Sequence, residues 1–156
     1  MSISVGINGF GRIGRSTFSH ISESARNDIH VTKINATGPI ETSAPLLKYD
    51  SVHGRFSGEI TVENDHLDVG NGPVKVFSSY DPNDLDWSGC DVVLECTGKF
   101  NDGIKSKVHI QQGAKSVLIS APADNVDKTI IYGVNHRSLT DKDRIVSNGS
   151  CTTNCL

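Results

Sequence analysis

The sequence predicts an α/β fold with a doubly wound, mostly parallel sheet and a small antiparallel excursion. Three observations predict it: a β-α-β pattern at the start, apolar runs that later alternate with a helical segment, and short alternating strands between these two parts. Strands that alternate with helices are typical of parallel sheets, because the helix carries the chain back to the edge where the next strand begins.

The opening β-α-β pattern begins with a β-rich run from Ile3 to Asn8. A glycine-rich turn follows, then apolar residues at roughly helical spacing, and then a second β-rich run from Asp28 to Asn35. The next segment, residues 41–50, is expected to be irregular or only briefly helical, because Pro45 lacks the N–H group that a helix interior needs.

The antiparallel excursion is predicted over residues 55–77. Short runs of alternating apolar and polar residues predict strands there, and Asp65 and the segment Gly70–Gly72 mark the turns between them. Beyond the excursion, a helix over residues 101–114 is expected to end at Gly113. Apolar runs before and after that helix are predicted to be further strands: Cys90–Gly98, Lys115–Pro122, KTIIYGVN and RIVSN.

Composition and charge narrow the functional class. The 156 residues suffice for one domain with a core, and 36% hydrophobic with 21% charged residues is typical of a globular protein. A net charge of −3 gives no support for nucleic-acid or anionic-membrane binding. No apolar run approaches the roughly 20 residues of a membrane span, and the N-terminus lacks the features of a signal peptide. A cytoplasmic protein is expected.

A glycine-rich loop is the first candidate site. Gly9, Gly11 and Gly14 form a G-x-G-x-x-G pattern between the first predicted strand and the first predicted helix. In such a loop the first glycine permits a tight turn, the second lets a pyrophosphate approach the backbone, and the third lets helix and strand pack closely. Free N–H groups at the start of the helix attract the anion. The alternative is a glycine-rich turn without a ligand, but the surrounding β-α-β pattern favours dinucleotide binding.

The usual acidic partner of such a loop is missing. No Asp or Glu lies between Ile29 and Ile40, so no carboxylate ends the second strand to hold the adenosine ribose. A 2′-phosphate would therefore meet no like charge, but its recognition needs Arg or Lys, and the nearest, Lys33, lies within the predicted strand. NAD is the expected cofactor, and NADP or dual use stays open.

The second candidate site is Cys151. Ser150 is predicted to cap a helix that begins at Cys151, where unsatisfied N–H groups favour the thiolate, and Thr152 adds a hydroxyl that can hold a phosphate. The alternative is a buried structural cysteine, and spacing alone does not decide between them. Cys155, one turn later, is expected in the core. Two thiols on one helix do not make a four-ligand zinc site, so no metal is expected. No histidine shows an obvious link to Cys151.

Six motifs then occur in order: GINGFGRIGR, LLKYDSVHGRF, ECTGKF, LISAPA, YGVNH and SNGSCTTNCL. Together they closely resemble the N-terminal part of the phosphorylating glyceraldehyde-3-phosphate dehydrogenase family, and the likeness covers essentially the whole chain. It implies a Rossmann-type NAD(P)-binding domain over residues 1–150. Residues 151–156 are then the start of an active-site helix that leads into a catalytic domain missing from this sequence. Gly149 stands where the family usually has Ala, a change expected to add flexibility and to matter little.

The resemblance also implies roles for individual residues. Cys151 would attack the substrate aldehyde, and Ser150 and Thr152 would help to hold phosphate. Two departures concern the cofactor: Ala36 stands where the family has Asp at the ribose, and Tyr80 stands where an Arg near the adenosine is common. The residues implied in cofactor binding are Gly9, Gly11, Arg12, Ile13, Gly14, Asn35, Thr97, Gly98 and Ser120.

The activity implied by the family is the NAD-dependent oxidation of glyceraldehyde 3-phosphate with inorganic phosphate, in glycolysis and gluconeogenesis. It proceeds through a thiohemiacetal and a thioester on the cysteine, in a homotetramer. The family's general-base His, its substrate-binding Arg and an Asn near the nicotinamide would lie beyond Leu156, so this chain alone is expected to turn over little or nothing. Two alternatives stay open: an erythrose-4-phosphate dehydrogenase, and a stand-alone dinucleotide-binding module.

Overall fold

The computed structural model describes residues 2–156. Its strands are β1 (Ile3–Asn8), β2 (Ile29–Asn35), β3 (Tyr49–Asp50), β4 (Gly54–Arg55), β5 (Thr61–Glu63), β6 (His66–Asp68), β7 (Val74–Phe77), β8 (Val92–Glu95), β9 (Ser116–Ile119), β10 (Lys128–Thr129) and β11 (Ile145–Ser147). The helices are α1 (Arg12–Glu23), α2 (Ile40–Lys48), α3 (Gly103–Gln111) and α4 (Cys151–Cys155).

Nine strands form one sheet in the order β10-β11-β9-β8-β1-β2-β7-β6-β5. Neighbours from β10 to β7 are parallel, whereas β6 runs antiparallel to both β7 and β5. β3 and β4 form a separate antiparallel pair. The predicted fold class is therefore confirmed, including the antiparallel excursion between the two parallel parts.

The central strand β1 is where the chain reverses its direction of travel across the sheet. After β1 the chain moves to β2 on one side, and after the excursion it returns to β8 on the other side of β1. Open α/β sheets bind ligands at such a switch point, outside the carboxyl ends of the strands. The topology alone thus directs attention to the residues that follow β1, β2 and β8.

The core covers both faces of the sheet because helices and loops pack on both sides. On one face, Ile7 of β1 is fully buried and Phe18 of α1 is 1% exposed, and the Phe18 ring meets that of Phe10 edge-on at 5.7 Å. A second cluster surrounds the fully buried Trp87, whose ring lies 6.0 Å from that of Phe77. Burial on both faces explains the apolar run Val92–Leu94 in β8.

The expectation for residues 41–50 was wrong in one respect, because α2 runs through Pro45 without a break. Proline in a helix removes one backbone donor and crowds the preceding turn. Pro45 is exposed. Leu47, on the opposite side of α2, is buried and holds the helix against the core. Tertiary packing therefore outweighs the local preference.

The strand predicted in KTIIYGVN is only two residues long, β10. The chain turns at Ile131, whose N–H donates to Oδ1 of Asn135 at 2.7 Å, while Nδ2 of Asn135 donates to the carbonyl of Thr129 at 3.0 Å. A side-chain amide that binds backbone groups on both sides of a turn competes with strand pairing. Within residues 2–156, none of the helices is both long and apolar enough to span a membrane.

Candidate dinucleotide cleft and thiol site

A cleft of about 300 Å³ lies at the carboxyl ends of β1, β2, β7 and β8. It therefore occupies the switch point that the topology defines. The residues that line it come from the ends of these four strands and from the segments that follow them: Asn8, Gly9, Phe10, Gly11, Asn35, Ala36, Thr37, Gly38, Ser43, Ser79, Tyr80, Pro82, Leu85, Cys96, Thr97, Lys99 and Phe100.

The glycine loop forms one wall of the cleft. Gly9 has φ +96°, a backbone conformation that favours glycine, and a Cβ there would lie 2.8 Å from the Thr97 nitrogen. A Cβ on Gly14 would collide with the carbonyl oxygen of Gly9, so close packing of α1 on β1 requires glycine at that position. Around Gly11, in contrast, the space that a Cβ would take is open. The loop leaves room where a pyrophosphate needs to approach.

The first turn of α1 fits an anion. Gly11 is the N-cap and no side chain caps the helix, so its first N–H groups are left for a ligand. Arg12 and Ile13 are both exposed, Ile13 at 53%. No acidic residue lies in this turn to compete with an anion. The backbone donors, the open space at Gly11 and the nearby Arg12 together suit a pyrophosphate.

The part of the cleft near the ends of β2 and β7 contains the two positions that the resemblance implies at the adenosine and that depart from the family pattern. Ala36 lines the cleft, is 4% exposed, and donates its N–H to the Phe77 carbonyl at 2.9 Å. Tyr80 is 77% exposed at the rim. Lys33 is not available to the cleft, because its Nζ lies 2.9 Å from the Asp86 carboxylate and 2.9 Å from the Ser88 carbonyl. The hydrogen bonds from the Ser88 hydroxyl and the Ser88 N–H, and then the one from Lys33, lower the pKa of Asp86 to about 2.

Lys99 is a cleft residue that the sequence analysis missed. Its Nζ lies 5.7 Å from the centre of the Tyr80 ring, and among residues 2–156 no carboxylate lies within ion-pair distance of it. Lysine over a tyrosine face makes a cation–π contact. The only signal in the sequence was its position two residues after Thr97. The structure brings this free cation to the same cleft as Ala36 and Tyr80.

The residues implied at the nicotinamide side follow β8 and β9. Thr97 lines the cleft, and the exposed Gly98 with φ +71° turns the chain toward Lys99. Ser120 follows the neighbouring strand β9 and is not part of the cleft lining; its N–H donates to the Glu95 carbonyl at 3.0 Å. Burial raises the pKa of the Cys96 thiol to about 11, although a hydrogen bond with Ser120 opposes the shift. Cys96 is thus a neutral wall residue.

The thiol site lies at the same edge of the sheet. β11 ends at Ser147, and Ser150 then caps α4 by accepting a hydrogen bond from the Thr152 N–H at 3.2 Å. Cys151 is the first residue of α4 and is exposed. Since β11, β9 and β8 are parallel, Cys151 and the cleft both follow carboxyl ends of strands. Among the described residues, Cys151, Ser150 and Thr152 are not part of the cleft lining. Cys155 is exposed rather than in the core, because no described element covers the five-residue helix α4.

The backbone before Cys151 depends on glycine. Gly149 is buried with φ +68°, and a Cβ there would lie 2.5 Å from Cδ1 of Ile131. We expect Gly149→Ala to lower the free energy of unfolding by about 1–3 kcal/mol, from the left-handed conformation and the contact with Ile131 together. Thermal unfolding measures the change.

Gly89→Ala is the matched control for that prediction. Gly89 also has a positive φ, +81°, but a Cβ there would meet nothing within 4 Å. This variant isolates the cost of the backbone conformation, so it should be destabilised less than Gly149→Ala. Equal midpoints for the two variants would show that Ile131 moves aside without cost.

The parallel sheet, the glycine loop and the cleft at the switch point define the class: a Rossmann-type dinucleotide-binding domain. Residues 3–103 match the family model described as glyceraldehyde 3-phosphate dehydrogenase, NAD binding domain. The chain belongs to this family.

Curated relatives agree with the family model. Glyceraldehyde-3-phosphate dehydrogenase of Cereibacter sphaeroides is 55% identical over 156 residues, all of this chain and 47% of the relative. The enzyme of Xanthobacter flavus is 54% identical over 158 residues, again all of this chain and 47% of the relative. The chromosomal enzyme of Cupriavidus necator is 48% identical, covering all of this chain and 48% of the relative. The chain spans about half the length of these relatives.

Proposed function

We propose that the full-length protein is a phosphorylating glyceraldehyde-3-phosphate dehydrogenase of glycolysis and gluconeogenesis. The observation that carries the proposal is the placement of Cys151 at the start of α4, at the same sheet edge as the dinucleotide cleft. A nucleophilic thiol beside a nicotinamide site is what cysteine-dependent aldehyde oxidation requires. The family membership and the relatives' names support the substrate assignment.

In this proposal the Cys151 thiolate forms a C–S bond to the aldehyde carbon, and the resulting alkoxide takes a proton to give a thiohemiacetal. A bound nicotinamide would supply the hydride acceptor; loss of the hydride from that carbon and of the hydroxyl proton to a base then leaves a thioester. Inorganic phosphate then attacks the thioester carbonyl, the C–S bond breaks, and the thiolate is restored. Ser150 and Thr152 border the thiol and offer hydroxyl groups to the phosphate.

The cofactor in this proposal is NAD, with NADP accepted more weakly. The lack of a carboxylate at Ala36 removes the group that would repel a 2′-phosphate, and Lys99 offers it a cation. Against this, Tyr80 supplies no charge and Lys33 is held by Asp86. The neighbouring Asp81 and Asp84 also repel a phosphate. Binding of the dinucleotide itself would use Gly9, Gly11, Arg12, Ile13, Gly14, Asn35, Thr97, Gly98 and Ser120.

We further propose that the full-length protein acts as a cytoplasmic homotetramer and that residues 1–150 form its NAD(P)-binding domain. In this arrangement residues 151–156 begin the active-site helix. A base for the thiol would come from beyond Leu156, and a general base typically contributes about 10²–10⁴-fold to the rate. The 156-residue chain alone is therefore proposed to have little or no activity.

The test is a steady-state assay of the full-length protein with glyceraldehyde 3-phosphate, NAD and phosphate, followed by the absorbance of reduced nicotinamide. We expect turnover that depends on phosphate and a higher kcat/KM than with erythrose 4-phosphate. A higher kcat/KM for erythrose 4-phosphate would replace the substrate assignment. NAD binding without turnover of either aldehyde would instead favour a dinucleotide-binding module.

A further inference from the structure

A fully buried carboxylate lies directly beneath the cleft. Glu95 is the last residue of β8 and is 0% exposed. Its Oε2 accepts hydrogen bonds from Nδ2 of Asn8 at 2.6 Å and from Nε2 of His109 at 3.0 Å. Its Oε1 accepts from the backbone N–H of Thr97 at 2.8 Å and from the Thr97 hydroxyl. Each carboxylate oxygen thus receives two donors, so its acceptor capacity is filled.

His109, which lies beneath Glu95, does not neutralise the negative charge of the Glu95 carboxylate. Nε1 of Trp87, which can only donate, lies 3.1 Å from Nδ1 of His109, so Nδ1 acts as the acceptor. The proton of a neutral His109 then lies on Nε2 and points to Glu95. Burial raises the pKa of Glu95, but the hydrogen bonds from His109, Thr97 and Asn8 outweigh it, and the net shift is downward. The cleft floor therefore rests on an ionised carboxylate held by neutral donors.

A chain of side-chain hydrogen bonds runs from this carboxylate across the floor of the cleft. Nδ2 of Asn35 donates to Oδ1 of Asn8 at 2.8 Å. Asn35 then pairs with the backbone of Ser79: Nδ2 donates to the Ser79 carbonyl at 3.0 Å, and Oδ1 accepts from the Ser79 N–H at 3.1 Å. The chain joins residues at the ends of β8, β1 and β2 with the loop after β7, four neighbouring strands of the sheet.

The carboxylate at one end of that chain and the Ser79 backbone at the other end together set the direction of its bonds. An ionised carboxylate only accepts, so the amide of Asn8 must turn its NH₂ group to Glu95 and its oxygen to Asn35. The amide of Asn35 must then turn its NH₂ group to Asn8, which matches what the Ser79 backbone requires. One arrangement satisfies all donors and acceptors. Asn8, Asn35, Ser79 and Thr97, which line the cleft, are fixed by it.

His109 supports the same floor from below. Its ring meets that of Phe100, another cleft residue, edge-on at 6.0 Å, and that of Trp87 at 6.1 Å. The carbonyl of Phe100 also accepts a hydrogen bond from the fully buried Ser106 hydroxyl at 2.8 Å. His109 itself is 0% exposed and does not line the cleft, so any effect it has on a ligand passes through Glu95 or Phe100.

We propose that Glu95 is a positioning residue for dinucleotide binding, which orients the Asn8 amide at one end of the Asn8–Asn35–Ser79 chain and fixes Thr97 before the cofactor arrives. This inference rests on the proposed function, since it assumes a dinucleotide in the cleft. A preorganised floor raises affinity because the bound ligand does not have to order it. Glu95 lies one layer beneath the ligand and acts through its neighbours.

The primary test is Glu95→Gln in the full-length protein, with NAD affinity measured by calorimetry. A Gln amide offers one acceptor oxygen and introduces an NH₂ group, so it cannot accept from Asn8, His109 and Thr97 together. We expect the Kd for NAD to rise about tenfold or more, since unsatisfied buried donors are costly. KM for NAD should rise in parallel, while kcat at saturating NAD stays within about threefold, as the loss of a binding interaction implies.

Leu67→Ala is the control for general loss of stability. Leu67 is 1% exposed in β6, within the antiparallel excursion and outside the cleft lining. Its truncation should lower the thermal midpoint while leaving the Kd for NAD within about twofold. If Leu67→Ala weakens NAD binding as much as Glu95→Gln does, the effect is one of overall stability and the inference is overturned.

A pair of variants at His109 tests the inference without altering Glu95. His109→Gln can still accept from Trp87 and donate to Glu95, whereas His109→Leu can do neither. We expect near-normal NAD affinity for the Gln variant and at least about fivefold weaker binding for the Leu variant. Equal affinities of these two variants, or an unchanged Kd in folded Glu95→Gln, would overturn the inference. A wild-type protein that binds no NAD would instead reject the proposed function.

Discussion

Replacing Cys151 with serine is expected to abolish aldehyde oxidation by the full-length protein while leaving dinucleotide binding intact. A serine hydroxyl is a weak nucleophile unless a base activates it, whereas a thiol reacts through its more accessible thiolate. We expect kcat with glyceraldehyde 3-phosphate to fall by more than about 10³-fold, as the loss of a covalent nucleophile does in other enzymes. The Kd for NAD should change by less than about twofold, because Cys151 is not part of the cleft lining among residues 2–156.

Cys155→Ser is the matched control for this prediction. Cys155 lies on the same helix one turn later and is also exposed, so the same chemical change is made four residues away. That variant should keep kcat within about threefold. Loss of both activity and NAD binding in Cys151→Ser would mean that Cys151 has a structural role, and equal losses in the two serine variants would mean that α4 as a whole is sensitive.

The fold was predictable because two features of the sequence, the β-rich runs and the glycines between them, agree with the topology of the sheet. The β-rich runs at the start correspond to β1 and β2, and the glycines between them match the tight turn at Gly9 and the close packing at Gly14. Where the prediction failed, at Pro45 and in KTIIYGVN, side-chain contacts that the residue pattern does not reveal decided the structure. Packing of Leu47 kept α2 intact, and the Asn135 side chain replaced strand pairing with a turn.

The site was less predictable than the fold because its supporting residues carry no local signal. Glu95 and His109 are 14 positions apart, and Asn8 is 87 positions from Glu95. A buried carboxylate in an apolar strand gives no hint of its partners until the sheet order places β8 beside β1. Lys99 was missed for a related reason: it comes close to Tyr80 only because the loops after β7 and β8 meet across the cleft.

The cleft and the thiol are linked by a simple property of parallel sheets. Every loop that follows a parallel strand emerges at the same edge, so residues from β1, β2, β8 and β11 gather there without any being close in sequence. The cofactor cleft uses the strands next to the switch point, and Cys151 follows a strand two places beyond β8. A substrate that reacts with Cys151 would thus lie beside the part of the cleft formed by Thr97.

Introducing a carboxylate at position 36 is expected to make the protein strongly selective for NAD over NADP. Ala36 lines the cleft at the end of β2, where an Asp side chain would accept hydrogen bonds from the ribose hydroxyls of NAD. The same carboxylate would face the 2′-phosphate of NADP, and like charges brought together in an interface cost several kcal/mol. We expect Ala36→Asp to change the ratio of the two Kd values by about 10²-fold in favour of NAD.

Ala36→Asn separates charge from shape in this prediction. Asn has the size and polarity of Asp but no charge, so it should keep the ribose contacts while changing the NADP/NAD ratio much less, by at most about fivefold. Lys99→Gln tests the opposite charge: without the free cation at the cleft, NADP affinity should fall while NAD affinity is nearly unchanged. Calorimetry with both dinucleotides on the full-length protein measures all three variants. If Asp and Asn give the same ratio, position 36 does not face the ribose, and discrimination between the cofactors must come from residues elsewhere on the cleft wall.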